Sequence, residues 1–589
     1  MRRLWRYFVP YLLPLLALLA LVYGQTLSTL ALPNYLAEII DNGVVVQNTH
    51  YIYSTGLRML VVALLGGLCM IGVSYVATRI ATGFAQRIRE AIFTKVEGFS
   101  LLEFNSFSSA SLITRSTNDV QQIQQVMVLL LRIAFMAPFM GVGAIYKAYH
   151  LAPNMTWIMA VAIAALIIIV ATLFTIALPR FRKVQKLVDR LNLVTREFLT
   201  GIRVIRAFDR ERREEEKFDD ANLELTRINI FVNRLLAALQ PSMLLIMNVV
   251  SVVIVWIGAH EIAMGSLQIG SVLAFVQYSI QGITAFLMLS IIFVFAPRAI
   301  VSAGRIGEVL GTEPSIEDPQ KSATSSGDEK GIIRFEDVSF AYEGSEKPVL
   351  EHVTFTALPG QTTAFVGSTG SGKSTLVNLI PRFYDPTDGH VYVDGVDVKD
   401  LKLSDLHAKI GYIPQKATLF SGTIETNIAY GTPKISEAGI ARAAKIAQAT
   451  EFINQMDKKM DAPISQGGIN VSGGQKQRLS IARALAYNPE IYIFDDSFSA
   501  LDFATDAKLR KDLVEETVGK TVLIVAQRLS TIMQADNIVV LDDGRVVGQG
   551  SHDQLLKTCR VYREIAESQL SDDELRSTVA LPKLAKDQS

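Results

Sequence analysis

The chain has 589 residues, half of them hydrophobic, and its 57 Lys and Arg balance 57 Asp and Glu. That apolar content excludes an ordinary soluble protein, and the length allows at least two domains. The zero net charge averages over two unlike halves, and two distant cysteines, Cys69 and Cys559, offer neither a disulfide framework nor a metal-ligand spacing.

Six apolar segments precede residue 300, near 9–32, 57–80, 127–149, 156–178, 238–260 and 271–296. Each approaches or exceeds the roughly 20 residues that a helix needs to cross a bilayer. The first follows Met1-Arg2-Arg3, as in a signal peptide, but Val22-Tyr23-Gly24-Gln25 is a poor cleavage site, so an uncleaved membrane helix is expected. Pro33, Pro138, Pro241, Gly141 and Gly143 fall inside or beside these segments, which membrane helices tolerate. Lys and Arg crowd 180–234 and recur between segments two and three at Arg79, Arg87, Arg89, Lys95 and Arg115. The connections near 42–55, 150–155 and 261–270 hold no Lys or Arg. Positive charge stays inside, so a multi-pass protein of the cell membrane with both termini cytoplasmic is expected.

The two long basic connections are poor in Gly and Pro and rich in mixed charge. They read as helices that extend the spans into the cytoplasm as rods, with tips near 103–110 and 208–216. Gln25, Asn248, Gln277 and Gln281 are polar positions in or beside apolar spans, suited either to a substrate cavity or to hydrogen bonds between helices. Arg132 and Lys147 lie near span ends, where long cationic side chains snorkel. Met243, Met247, Phe275, Phe286, Met288 and Phe293 suit an adaptable apolar cavity or plain core packing. Composition shifts at residue 311. A polar linker over 311–330 gives way to short apolar strands alternating with helical patterns over 331–567, then a polar tail over 568–589.

Within that second region, Gly367-Ser368-Thr369-Gly370-Ser371-Gly372-Lys373-Ser374 fits the P-loop pattern between an apolar strand and a helix that opens at Thr375. Glycines let backbone N–H groups converge on phosphate oxygens, and a helix N-terminus adds a favourable dipole. Lys373 then reaches the terminal phosphates and Ser374 offers its hydroxyl to Mg²⁺. Ser472-Gly473-Gly474-Gln475 opens another helix, a second phosphate-binding surface. Ile491-Tyr492-Ile493-Phe494-Asp495 is an apolar strand ending in a carboxylate, as suits the Mg²⁺ side of such a site.

In this order and spacing the motifs resemble the ATP-binding cassette superfamily, with Val471 standing at the leucine of its L-S-G-G-Q signature. The resemblance covers essentially the whole chain and implies a multidomain exporter. Its parts are a six-helix all-α transmembrane domain (1–310) with long cytoplasmic helical extensions and an α/β P-loop nucleotide-binding domain. It further implies that Tyr342 stacks on adenine and that Gln415 is the Q-loop glutamine on the metal side with Ser374 and Asp495. Asp502 is implied as the D-loop aspartate, and ATP with Mg²⁺ as the cofactors. The family pairs two cassettes head to tail, so Ser472 to Gln475 would complete a partner subunit's ATP site, and the tips of the long extensions would rest on the cassettes. Two positions depart from the pattern: Asp496 stands where the family has a catalytic glutamate, and Gln527 where it has a switch histidine. Both strike hydrolysis and spare binding. They imply a slow site, hence a heterodimer like the heterodimeric bacterial multidrug exporters, which Ser465-Gln466-Gly467-Gly468 also resembles. Amphipathic small molecules lead as cargo, with lipids and peptides behind, and a regulatory, non-transporting cassette protein is the other class. The spans argue against nucleic acid as a partner and the P-loop set against a secondary transporter.

Overall fold

The computed structural model describes residues 2–323, 329–432 and 434–570; part of the linker, 324–328, and the tail beyond 570 lie outside the described residues. By contacts the chain forms two compact units. One comprises residues 1–97 and 108–312; the other joins Gly98–Phe107 to the chain from Glu313 onward.

The first unit is helical. Among the described residues, six stretches are long and apolar enough to cross a membrane: Leu4–Val44, Thr49–Glu97, Ser109–Leu151, Pro153–Ala207, Glu211–Ala263 and Ile269–Leu289. The helix Thr49–Glu97 has 49 residues and Thr156–Ala207 has 52. At 1.5 Å per residue these reach about 75 Å, well beyond a hydrocarbon core of about 30 Å. The basic connections therefore begin as continuations of the spans, and the helices break near the tips, at 98–100, Ser108 and Phe208–Arg210. The fifth stretch is interrupted between Glu211–Ala237 and Leu239–Ala263. Pro241 accounts for the break: it has no N–H to give the Ala237 carbonyl, and its ring crowds that oxygen.

Polar contacts stitch the first and sixth helices (Leu12–Glu38 and Ile269–Gly311) together. The buried Tyr278 hydroxyl lies 2.9 Å from the Leu30 carbonyl and 2.8 Å from Asn34 Oδ1. Gln281 Nε2 donates to the Thr29 carbonyl at 3.3 Å, and the Gly270 N–H donates to Asp41 Oδ1 at 2.7 Å. Of the polar positions picked from sequence, Gln281 thus bonds between helices and Gln25 is buried, whereas Asn248 and Gln277 are exposed. Arg132 is exposed and Lys147 half-buried. Met243 and Phe275 are core residues of this bundle, and the side chain of Phe293 lies outside the described residues.

The second unit is built on a six-stranded sheet in the order β12-β11-β3-β10-β9-β6. Strands β6 (Ile410–Ile413), β9 (Ile491–Asp495), β10 (Thr521–Val525), β3 (Thr362–Gly367) and β11 (Asn537–Asp542) run parallel, with β12 (Arg545–Gly550) antiparallel at the edge. A parallel sheet is covered on both faces, so its strands are apolar without alternation. Accordingly Tyr492 and Phe494 enter one core while Ile491 and Ile493 enter the other. A four-stranded antiparallel sheet, β2-β1-β4-β5 (Leu350–Ala357, Ile333–Phe340, Asp388–Val393, Val396–Asp397), and a short pair, β7 with β8 (Gly422–Thr423, Pro463–Ile464), complete it.

The short helix Leu101–Phe107 belongs to this unit although it interrupts the membrane half in sequence. Its anchor is the buried Glu103, which accepts from the Ser100 N–H and hydroxyl at 2.8 and 2.6 Å and from the Ser315 N–H at 3.0 Å. Asn105 Nδ2 donates to the Tyr384 hydroxyl at 3.3 Å, and Leu102 packs against the cassette core. The other tip is a turn at Phe208–Arg210, with Phe208 exposed. At the C-terminal end, the helix Arg560–Gln569 runs on through 568, where the tail was expected to begin.

Candidate functional site

Parallel register brings the chemistry to one edge. Val525 pairs with Asp495 and with Phe365, so the ends of β3, β9 and β10 lie side by side and their following loops converge. Ligands bind at the carboxyl ends of such strands. After β3 the chain turns through Gly370 (φ +88°) and Gly372 (φ +92°) into the helix Lys373–Leu379. Only glycine takes those angles without strain. A Cβ at Gly367 would stand 2.1 Å from the Leu541 carbonyl, so the loop is as tight as its sequence requires. Lys373 Nζ curls over the loop, donating to the carbonyls of Gly367 and Ser368 at 2.9 and 2.7 Å and to Ser371 Oγ at 3.3 Å. Burial pulls its pKa down, against the opposing pull of the Asp496 and Asp495 carboxylates. Ser368, Thr369 and Gly370 form the exposed crest of the loop.

Asp495 closes β9 beneath it. Ser374 Oγ donates to Asp495 Oδ1 at 2.8 Å, and the Tyr412 hydroxyl donates to Asp495 Oδ2 at 3.3 Å while lying 2.9 Å from Asn378 Oδ1. Burial raises the Asp495 carboxyl above its usual range, although both hydroxyls hold it down. A serine hydroxyl beside a buried carboxylate is a hard oxygen pair, the donor chemistry that suits Mg²⁺ carried in with phosphates. Gln415, expected beside them, points instead to the next carboxylate.

That carboxylate is Asp496, buried and in a left-handed conformation (φ +46°). Its Oδ2 accepts from Gln415 Nε2 and from Gln527 Nε2, each at 3.1 Å. Its N–H donates to the Val525 carbonyl and its carbonyl accepts from Ser499 Oγ, both at 2.9 Å. Burial raises its pKa, opposed by hydrogen bonds from Gln415 and Ser499. The two positions that depart from the family pattern are therefore direct partners. Tyr342 is part-exposed; its hydroxyl lies 3.1 Å from Thr375 Oγ1 and its ring meets Phe340 and Tyr384 edge-on.

The signature residues face outward. Ser472 caps the helix Gly473–Tyr487 in a reciprocal box: Gln475 N–H donates to Ser472 Oγ at 3.3 Å and Ser472 N–H to Gln475 Oε1 at 2.9 Å. Ser472 and Gly473 are exposed, and a Cβ on Gly473 would meet nothing within 4 Å, so its face is open; at Gly474 a Cβ would approach the Ala500 carbonyl. Asp502 caps the helix Phe503–Glu516, accepting from Thr505 N–H at 2.9 Å. Sequence reading gave no role of their own to Tyr412, Ser499 and Gln477; the last donates its Nε2 to the Pro414 carbonyl at 3.3 Å and ties the signature helix to the Gln415 loop. Tyr412 carried a usable signal, standing on a strand that leads into Gln415; the others carried none.

Models of the ABC transporter transmembrane region and of the ABC transporter match residues 15–286 and 350–499. An uncharacterized ABC transporter ATP-binding protein of Mycobacterium tuberculosis is 41% identical over 95% of this chain and 96% of its own length. The chain belongs to the ABC transporter family. It is an exporter-type half-transporter, a multi-pass membrane protein in which one transmembrane region precedes one ATP-binding region. The uncharacterized ABC transporter ATP-binding protein YfiB of Bacillus subtilis is 37% identical over 97% of this chain and 98% of its own. A protein named as an ATP-dependent lipid A-core flippase, from Desulfotalea psychrophila, is 32% identical over 94% of this chain and 97% of its own. The ABC exporter fold is shared with the structure of a bacterial Atm1-family ABC exporter with ATP bound, at TM-score 0.78 and 24% identity, covering 95% of this chain and 99% of that one. An ATP-binding region of this family implies ATP hydrolysis coupled to transport.

Proposed function

We propose that this ABC half-transporter works as the slow-site half of a heterodimer that exports amphipathic small molecules. The supporting observation is the arrangement at Asp496. A carboxylate one methylene shorter than glutamate is set back from where a water-polarising group belongs, and one of its oxygens is taken by two amides. Misplacing a catalytic group by about 1 Å can cost on the order of 10²-fold in rate. Gln527 donates a hydrogen bond but carries no charge to balance a developing phosphate charge. ATP would be held by the backbone of Gly367 to Gly372, by Lys373 and by Tyr342, with Mg²⁺ between the phosphates, Ser374 and Asp495. The metal, when bound, neutralises phosphate charge. Ser472 to Gln475, open at the helix start, would complete the partner's site, and Asp502 would stand near it. An open, almost wholly apolar pocket of 530 Å³ in the membrane unit, lined by Trp5, Phe8, Phe84, Met127, Phe135 and Ala299 among others, suits the apolar part of such a cargo. With both termini and the tips of the long helices cytoplasmic, export would run outward.

The decisive experiment measures Mg²⁺-dependent ATPase activity of the purified chain alone and then co-expressed with a candidate partner subunit. Near-inert chain and active pair support the heterodimer; Ser472→Arg then silences the pair while Asp496→Asn changes it little. Full turnover by the chain alone sinks the heterodimer. A second reading, lipid flipping, is favoured by the 32% identity to a named lipid flippase. Leaflet-specific movement of a labelled lipid by the reconstituted pair, with no drug efflux, would replace the first reading by this one.

A further inference from the structure

The segment Ala526–Arg528 that presents Gln527 has no regular secondary structure; it joins the end of β10 to the short helix Leu529–Ile532. Its main chain is anchored at the start by Ala526 N–H on the Phe365 carbonyl, at a long 3.3 Å. Further on, one side chain holds it from two sides. Gln569 Nε2 donates to the Gln527 carbonyl at 2.9 Å, and Gln569 Oε1 accepts from the Leu529 N–H at 2.8 Å. An amide side chain has a donor and an acceptor on one plane, so it can close a ring with backbone groups two residues apart, as a strand neighbour would. The residue providing this clamp ends the helix Arg560–Gln569, whose Tyr562 and Ala566 are fully buried in the cassette core and whose Tyr562 hydroxyl lies 2.7 Å from His552 Nδ1. The helix is thus a fixed mount, and the clamp projects from its last turn.

We infer that Gln569 is a positioning residue for the nucleotide site, setting through the backbone of Gln527 the amide that holds Asp496. The path is continuous: Gln569 to the Gln527 main chain, and the Gln527 side chain to Asp496 Oδ2. This rests on the reading of Asp496 and Gln527 as part of an ATP site.

The test uses the full-length chain in membranes, with Mg²⁺ and 8-azido-ATP as the probe, and variants Gln569→Ala, Gln569→Glu and, as control, the exposed neighbour Glu567→Ala. Glutamate keeps the acceptor for Leu529 N–H but sets an oxygen against the Gln527 carbonyl, so it should behave like alanine at the site. Hydrogen bonds of ordinary net strength set the scale. Because the Gln527 amide can donate to a terminal phosphate oxygen, its displacement should also be felt in binding: half-maximal labelling should need about 3- to 10-fold more nucleotide in both Gln569 variants and be unchanged in the control. The Leu529 amide should exchange faster in Gln569→Ala, with thermal unfolding of the cassette unmoved. Faster exchange with unchanged labelling would leave the clamp purely structural and overturn the inference. So would unchanged exchange at Leu529. Absence of labelling in the unmodified chain is a different failure, one that removes the ATP site itself and this inference with it.

Discussion

The two units use polar groups in opposite ways. In the cassette, hydrogen bonds between side chains converge on two adjacent carboxylates, Asp495 and Asp496, from Ser374, Tyr412, Gln415 and Gln527. In the membrane unit, polar contacts are spread along a seam between the first and sixth helices and end on backbone carbonyls as often as on side chains. A parallel sheet gathers its strand ends at one edge, so polar groups there can form one site. Helices in lipid satisfy their own backbone, and polar side chains serve packing, at about 0.6 kcal/mol each on average. Chemistry is therefore concentrated in one unit and dispersed in the other, and substitutions should divide along the same line.

The largest effect belongs to the cassette. Lys373→Ala should weaken nucleotide labelling by about 100-fold, since charge-assisted bonds to phosphate are lost. A smaller change would mean that the glycine backbone does most of the holding. Next, the double change Asp496→Glu with Gln527→His should raise ATP turnover of this chain by on the order of 10-fold or more, if position limits hydrolysis. No gain would point to the partner as the source of the limit. In the membrane unit, Gly270→Ala should cost about 1–3 kcal/mol, read as thermal unfolding in detergent. A Cβ there would stand 2.4 Å from the Ala37 carbonyl and 2.7 Å from Asp41 Oδ2.

In the second unit, Glu103 comes next in size of effect. Burial alone would raise its pKa, but hydrogen bonds from Ser100 and Ser315 outweigh it and the net shift is downward. A lowered carboxylate stabilises the fold above the ordinary Glu pKa, and that contribution is lost as pH falls through the lowered value. Amides of Ser100 and Ser315 should accordingly lose exchange protection in acid, and Glu103→Gln should show the loss at neutral pH. Protection unchanged in Glu103→Gln would mean that packing of Leu102 holds the helix. The smallest effect is Tyr278→Phe, about 0.6 kcal/mol on unfolding, because water-free helices find substitute partners. A cost several times larger would make the seam resemble the cassette and dissolve the contrast.

Legibility in the sequence followed the same division. The P-loop, the Ser472-Gly473-Gly474-Gln475 helix start and the strand ending at Asp495 are local patterns, each with neighbours that dictate strand, turn or helix. The spans were readable because bilayer thickness imposes a length, and the rods because their connections lack breakers. The polar span positions were not readable: Gln281 and Gln277 look alike in sequence, yet one bonds to a neighbouring helix and the other is exposed.

Sequence alone determined the family, the order of the two regions, the residues that fit the P-loop pattern, and the aspartate and glutamine at Asp496 and Gln527. Tertiary structure decided that Asp496 and Gln527 touch, that Gln415 bonds Asp496, that Tyr412 bonds Asp495 and that Gln569 bonds the main chain of Gln527 and Leu529. Those pairs lie between 31 and 83 residues apart in the chain. Local patterns specify elements, but only strand order, register and the packing of a terminal helix specify which distant side chains come within hydrogen-bond reach.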